Sequence, residues 1–133
     1  MALARQTEAS LIKPAHNAMV VQGIVGATIA AGELVTQQSD GYWDPAIATA
    51  VVPNIGVAVQ AGAVGDTIDI VVLGPVACLT GGTKGAIIYV SDTAGEPSET
   101  AGTKSAVVGY VMYLPNNQDT QWLMVQPQTV AFS

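Results

Sequence analysis

Apolar side chains recur at every second position in several short stretches of the chain. In TIDIVV (67–72) the residues Ile68, Ile70 and Val72 alternate with the positions between them, and IGVAV (55–59) has the same period. Successive side chains of a β-strand point to opposite faces, so this period is typical of strands. No window of a dozen residues shows the period of a good helix. The pattern therefore predicts an all-β protein.

Turn signals divide the chain into short pieces. GDTIDIVVLG (65–74) predicts a strand that follows a Gly-Asp turn and is closed by Gly74. GAIIYVSD (85–92) and AMVVQGIVGATIAAG (18–32) also read as strands, because they are rich in β-branched residues. TAGEPSETAGTK (93–104) and QQSDGYWDP (37–45) have the composition of loops. We expect a small β-sandwich or β-barrel-like domain of short antiparallel strands with an extended N-terminal arm.

Part of the sequence recurs at an offset of 53 residues. The offset pairs Gly32 with Gly85, Gly56 with Gly109, and the Asp-Thr of 66–67 with that of 119–120. Only four of the eighteen positions in 55–72 are identical to their counterparts in 108–125, so a duplication and two similar hairpins both remain open. In either case each half reads as β-structure. The domain predicted for residues 17–133 is thus single, with two similar units as a possibility.

Residues 1–16 differ from the body of the chain in pattern and in charge. They lack strong periodicity and turn signals, and they carry a net charge of +1, whereas the whole chain has a formal charge of −6. Leu3, Leu11 and Ile12 are large aliphatic residues that a solvated tail rarely exposes. We therefore interpret residues 1–16 as an arm that orders against a partner.

Composition excludes several classes of protein. Half of the residues are hydrophobic and 11% are charged, which argues against disorder. The four basic residues cannot form a stripe along a phosphate backbone, so we expect no direct nucleic-acid binding. The uncharged stretch 14–32 contains His16, Asn17 and Gln22 and is too short in apolar residues for a membrane span. It also fits a signal peptide poorly, so we expect a protein made in a cell's cytoplasm.

The chain offers little material for catalysis or metal binding. Its single histidine, His16, and single cysteine, Cys78, are far apart in sequence, and together they fall short of a zinc site. Asp66 and Asp69 form a possible carboxylate pair, but Asp66 follows a turn glycine, where aspartate commonly bonds backbone amides. We expect Cys78 to be a buried small hydrophobe. The prediction is a non-enzyme without catalytic residues, metal or cofactor.

The two tryptophans allow two interpretations. Trp43 and Trp122 are rare large residues in a chain with 5% aromatic residues. They would serve as platforms for sugar stacking, or they would fill a core edge or a contact between subunits. We favour the second interpretation and predict both at a subunit contact.

Several stretches together resemble the capsid cement, or head decoration, proteins of tailed bacteriophages. These are GELV (32–35), GAIIYV (85–90), IGVAV (55–59), VGYVM (108–112), GDTIDIVVLGPV (65–76) and WLMVQP (122–127), and the resemblance covers roughly residues 20–128. It implies a structural virion protein that sits on the outer capsid surface as a homotrimer at threefold and quasi-threefold positions. It also implies that the partner is the major capsid protein and that binding stabilises the capsid shell.

The resemblance assigns the N-terminal arm to the contact with the capsid by position and character alone. The candidate contact residues are Leu3, Arg5, Glu8, Leu11, Ile12, Lys13 and Pro14. An alternative is a phage head-fibre base or another carbohydrate- or receptor-binding β module, with its chemistry in Asp40, Tyr42, Trp43 and Asp92. A small trimeric hydrolase with carboxylates at a subunit boundary is a further alternative.

Overall fold

The computed structural model describes residues 4–5, 12–14, 18–49, 54–83, 85–112 and 120–126. These residues form β-strands and connections, without a helix, and the strands join in one curled antiparallel sheet that forms a half-barrel. The predicted all-β, barrel-like fold class is confirmed. The strands are β1 Ala4–Arg5, β2 Lys13–Pro14, β3 Met19–Ile24, β4 Leu34–Gln37, β5 Trp43–Pro45, β6 Asn54–Ala58, β7 Thr67–Thr80, β8 Ile87–Val90, β9 Pro97–Ser98, β10 Val107–Met112 and β11 Thr120–Val125.

The long strand β7 is the centre of the sheet. The main path of hydrogen-bonded neighbours is β5-β4-β6-β7-β11-β10-β8-β9, and β1, β2 and β3 also pair with β7. Along residues 67–73 its partners are β3 and β6, and along residues 74–80 they are β11, β2 and β1. Every neighbour of β7 is antiparallel to it. One strand therefore belongs to two sets of partners.

The prediction that a strand ends at Gly74 was wrong, because β7 has 14 residues in all and runs through Gly74 and Pro75 to Thr80. Gly74 has a φ of 105°, and a Cβ atom built there would lie 3.0 Å from Ala18 Cα. Glycine therefore permits both the unusual backbone conformation and the close approach of the neighbouring chain. The sequence signal marked the place where β7 changes partners rather than its end.

The strands themselves repeat at the 53-residue offset. The first residues of β4, β6 and β7 shift onto the first residues of β8, β10 and β11, and β3 shifts onto residues 72–77 within β7. The pairing repeats as well: Val57 lies opposite Val71, and Tyr110 lies opposite Met124. We define the first unit as β3, β4, β5, β6 and residues 67–73, and the second unit as residues 74–80 with β8, β9, β10 and β11.

The loop predictions missed one short strand in each unit. Residues 37–45 include β5, which pairs with β4, and residues 93–104 include β9, which pairs with β8. Both stretches do have the composition of loops. Pairing with a neighbouring strand nevertheless satisfies the backbone hydrogen bonds of two or three extended residues, whatever their β-propensity. In the first unit the sheet curls further: Val25 forms a parallel bridge with Trp43, and Gly26 N–H donates to Trp43 O at 2.9 Å.

Two hydrophobic clusters cover opposite faces of the sheet in the first unit, since adjacent strand residues such as Ile70 and Val71 belong to different clusters. The larger one contains side chains from both units, including Leu34, Val57, Ile88, Val108 and Leu123. The smaller one belongs to the first unit and contains Val25, Ile29, Val35, Trp43, Ala58, Ile68 and Ile70. Removal of these side chains from water is the main stabilising contribution. Because the larger cluster is shared, the two units form one packed body.

Candidate functional site

Exposed large hydrophobic side chains concentrate along β3. Among the described residues eight such side chains are exposed, and six of them lie on β3 or beside it. We call these six the β3 patch: Met19, Val20, Ile24, Tyr42, Val64 and Leu73.

Backbone pairing and a shared cleft bring the members of the β3 patch together. Met19 lies opposite Leu73 in the sheet. The turn that carries Val64 is joined to β3, since Gly65 N–H donates to Val25 O. Exposed apolar side chains scattered singly are ordinary, but a group of this kind is typical of a contact surface.

A cleft of about 360 Å³ lies between β3 and the hairpin of β4 and β5. Gln22 and Ile24 line it from β3, and Gln37, Asp40 and Tyr42 line it from the hairpin. We call it the β3 cleft. Its volume is near the lower end of the range of roughly 300–1,000 Å³ for small-molecule pockets. The cleft and the β3 patch share Ile24 and Tyr42, so they form one continuous surface.

Trp43 lies at the base of the β3 cleft and is 5% exposed. A Cβ atom on Gly23 would overlap the indole at 2.5 Å and would lie 2.9 Å from Ile70 Cδ1, so the ring packs directly on the Gly23 backbone. Trp43 therefore packs in the core of the first unit, and its place in a subunit contact stays a prediction.

The hairpin residues of the β3 cleft are fixed by local hydrogen bonds. Tyr42 N–H donates to Asp40 Oδ1 at 2.9 Å, and Gln37 Nε2 donates to Gly41 O at 3.2 Å. The cleft thus collects Asp40, Tyr42 and Trp43, three of the four residues predicted for a sugar-binding module. The fourth, Asp92, lies outside the lining, where it accepts hydrogen bonds from Thr103 N and Oγ1.

The described part of the predicted arm pairs with the chain's own sheet. β1 and β2 pair with β7, and Ile12 is 5% exposed within the larger cluster. Arg5 Nη1 donates to Ala31 O at 2.9 Å, and Arg5 Nε lies 3.5 Å from Glu96 Oε2. Arg5 therefore links the two units. Pro14 is exposed.

The remaining candidate contact residues of the arm have no described side chain. Leu3, Glu8 and Leu11 lie outside the described residues, and Lys13 is described through its backbone alone. The contact of residues 1–16 with a capsid stays a prediction. Trp122 is half-buried on β11, opposite Met112 and Ala77, and its place in a subunit contact also stays a prediction.

The Cys78 thiol and the Asp66 carboxylate, two side chains considered for chemistry, have structural roles. Cys78 is buried, as predicted, and burial raises the pKa of its thiol to about 12, although the Arg5 cation acts in the opposite direction. Asp66 Oδ2 accepts a hydrogen bond from Ala63 N–H at 2.9 Å, which is the turn role expected of it. Among the residues that the structure describes, no three potential metal ligands come together, and no helix could cross a membrane.

No protein-family model and no curated protein matches this chain.

Sequence reasoning did not find the β3 patch or the β3 cleft as a unit. The sequence predicts strands in residues 18–32, but the exposure of Met19, Val20 and Ile24 depends on the position of β3 at a margin of the sheet. The cleft combines two segments more than ten residues apart. The one available signal was the group Asp40, Tyr42 and Trp43 in a single turn-rich stretch.

Proposed function

We propose that this chain is a structural virion protein, a capsid decoration or cement protein that binds the outer surface of a shell of major capsid protein. The observation that carries the proposal is the β3 patch, a concentrated apolar surface on a small acidic β domain. A patch of this kind on a folded domain is typical of a protein–protein contact. The resemblance to head decoration proteins supplies the kind of partner.

The mode of action follows from the physics of multiple contacts. A domain that adheres across neighbouring capsid subunits adds buried area, so that separating those subunits also breaks the new contacts. A homotrimer at a threefold position presents three copies of the β3 patch at once, and linked weak contacts give a much higher effective affinity than one contact alone. In this proposal the protein acts without making or breaking covalent bonds.

The structure changes which residues are the best candidates for anchoring. Arg5 and Ile12 already serve the domain, through Ala31, Glu96 and the larger cluster. Within residues 1–16, anchoring would therefore depend on positions other than these two. The β3 patch is the additional contact surface that the sequence did not indicate. Deletion of residues 1–16 is a poor test, because it would also remove Ile12 from the core.

Co-sedimentation with capsid shells tests the proposal. Purified shells of the major capsid protein from the encoding virus, stripped of decoration, would be mixed with wild-type protein or with the double variant Met19→Ser and Leu73→Ser. The matched control is Ile87→Ser with Tyr110→Ser, since these residues are also exposed and paired across two strands. We expect wild type and control to saturate the shells and the patch variant to lose at least tenfold in affinity.

The outcomes separate the patch from the function as a whole. No binding of the wild type would overturn the proposed function. Full occupancy by the patch variant would show that the β3 patch does not carry the contact. Wild-type stoichiometry of three chains per threefold site, together with a higher dissociation temperature of the shell, is the expected result for a homotrimeric cement protein.

The alternative is a carbohydrate-binding module, and the β3 cleft is the observation that favours it. Polar groups of Gln22, Gln37 and Asp40 and the ring of Tyr42 line the cleft. Against it, the rings that bind sugars must be accessible, and Trp43 is occupied by packing on Gly23. A glycan array with wild-type protein and Tyr42→Ala tests it, with Tyr42-dependent binding of a defined sugar as the supporting result.

A further inference from the structure

The equivalence of the two units shows what the β3 cleft lacks. Val76 and Ala77 of β7 lie opposite Leu123 and Trp122, and Val21 and Gln22 of β3 lie opposite the counterparts of those residues at the 53-residue offset, so Val76 and Ala77 take the places of Val21 and Gln22. In the second unit, residues 74–80 pair with β11 and also with β2 and β1. A strand has two edges, so β11 occupies one edge and the N-terminal segments occupy the other.

The second edge of this strand is covered to a different extent in the two units. In the second unit β2 pairs with Val76 and Ala77, β1 contacts β9, and Ile12 is buried as a member of the larger cluster. In the first unit the corresponding strand β3 pairs with β7 along Met19–Ile24, and its second edge meets the sheet only at its end, where Val25 is bridged to Trp43 of β5. The place that an extended segment of the chain fills in the second unit is the β3 cleft in the first.

The backbone of β3 presents unpaired groups to this cleft. Val25 N–H donates to Asp66 O, and Val25 O accepts from Gly65 N–H, so the polar groups of Val25 point towards β7. Adjacent residues of a strand point their N–H and C=O groups to opposite sides. Those of Gln22 and Ile24 therefore point away from β7. Ile24 O lies in the parallel bridge between Val25 and Trp43, where it faces Trp43 N–H, so the groups of Gln22 and the N–H of Ile24 remain for the cleft.

The electrostatics of the cleft favour a basic occupant. Asp40 lines it, Asp69 lies opposite Gln22 in the sheet, and Asp44 lies beside Gly26 at its end. The lining contains no lysine or arginine. The segment that fills the corresponding place in the second unit is basic in turn, since residues 1–16 carry Arg5 and Lys13 against Glu8.

We propose that the β3 cleft is a peptide-binding site, in which an extended basic segment of another protein adds a strand to the edge of β3 through Gln22 and the N–H group of Ile24. Main-chain hydrogen bonds to these two residues provide part of the affinity, as in other cases of strand addition. An apolar side chain of the segment lies against Tyr42 and Ile24, as Ile12 lies against the core in the second unit. Asp40 attracts the basic residues.

The inference is independent of the proposed function, because peptide binding is measured without capsid shells. The probe is a synthetic peptide of residues 2–16 of this chain, which includes β1 and β2, the two strands that pair with the corresponding edge. Titration followed by two-dimensional NMR is expected to shift the amide resonances of Gln22, Gly23 and Ile24. A second peptide with glutamate at the positions of Arg5 and Lys13 is expected to bind at least fivefold more weakly at low salt.

Two variants of the protein separate backbone pairing from side-chain contact. Ile24→Pro removes the N–H group that points away from β7. Its effect is compared with that of Ile24→Ala, which also removes most of the isoleucine side chain but keeps the N–H group. Proline is tolerated where an edge N–H faces solvent, so the fold should survive. We expect Ile24→Pro to bind the peptide at least tenfold more weakly than Ile24→Ala. Asp40→Asn, which keeps an acceptor for Tyr42 N–H, should lower the affinity severalfold and reduce its dependence on salt.

Four results would overturn the proposal. The first is equal binding by Ile24→Pro and Ile24→Ala, and the second is a set of shifts confined to residues 76–80, which would mean exchange with the chain's own segment. The third is pairing of two copies through β3 in the protein alone, seen as dimerisation that Ile24→Pro abolishes. The fourth is binding of a glycan, but not of either peptide, at Gln22 and Tyr42.

Discussion

Gly109 shows how a single residue position is fixed by its neighbours across the sheet. A Cβ atom at this position would collide with the backbone carbonyl of Met124 on β11, so the two strands approach too closely for any side chain. At the corresponding position in the first unit, Gly56, the nearest obstacles are the side chain of Ile70 and, at 3.0 Å, the carbonyl oxygen of Val71. The shared glycine of the repeat is thus a packing requirement in both units.

Gly109→Ala is expected to lower the free energy of unfolding by about 3 kcal/mol or more, because a backbone atom cannot rotate out of the way. The comparison is Gly41→Ala, where φ is 89° but no atom lies within 4 Å, so that only backbone strain of about 1 kcal/mol applies. Urea denaturation of both variants measures the difference. An equal cost at the two positions would contradict the close approach of β10 and β11.

Cys78 gives a prediction for the dependence of stability on pH. Burial raises the pKa of its thiol from 9.0 to about 12, so between these values the unfolded chain loses the proton and the folded chain keeps it. The free energy of unfolding therefore falls as the pH rises above 9, by up to about 1.4 kcal/mol per pH unit.

Cys78→Ala removes this contribution and leaves every other titratable side chain in place. Urea denaturation between pH 8 and pH 10.5 is expected to give a steeper decline for the wild type than for the variant. Parallel declines would mean that the thiol titrates alike in both states. Labelling of the native thiol with iodoacetamide at pH 8 should require unfolding, which gives a second and independent check.

At the scale of elements, the N-terminal strands show that an irregular sequence can complete a sheet. β1 and β2 have two residues each, and neither has a hydrophobic period that would identify it. Their pairing depends on the free edge of β7 and on burial of Ile12 between the two. The same consideration explains β5 and β9, which pair with longer neighbours despite a loop-like composition.

Ile12→Ala is expected to lower the free energy of unfolding by roughly 2–4 kcal/mol, since it leaves a cavity in the larger cluster. Ile24→Ala is the matched control with the same chemical change: Ile24 is 45% exposed on β3, and its loss should cost less than about 1 kcal/mol. Chemical denaturation of the two variants checks this. Similar small costs for both would mean that residues 12–14 are not docked on the domain in solution.

At the scale of the whole molecule, the two units share β7 and one hydrophobic cluster. Leu34 and Val57 of the first unit belong to the same cluster as Ile88 and Val108 of the second. Arg5 adds a polar link through Ala31 in the first unit and Glu96 in the second. Unfolding of either unit would expose the shared core of the other, so we expect one cooperative transition.

The two tryptophans allow each unit to be followed separately. In Trp122→Phe the fluorescence reports on Trp43 and the first unit, and in Trp43→Phe it reports on Trp122 and the second unit. Within each variant, the transition seen by fluorescence should coincide with that seen by far-ultraviolet circular dichroism of the whole sheet. Separate midpoints for the two signals would indicate that the units unfold independently.

The sequence by itself determined the all-β class, most strand positions, the buried state of Cys78 and the turn role of Asp66. These features depend on local alternation of side chains and on turn chemistry, which neighbouring residues specify. The 53-residue offset was also visible, although four identities in eighteen positions could not distinguish duplication from similar hairpins.

Only the tertiary structure decided the course of β7 through Gly74, the docking of β1 and β2, and the exposed position of β3. Each of these depends on which strand lies beside which, and pairing across the sheet joins residues that are far apart in sequence. The β3 patch and the β3 cleft arise in the same way. An apolar strand reads alike at the centre and at the margin of a sheet, and its place there decides whether those side chains are core or contact surface.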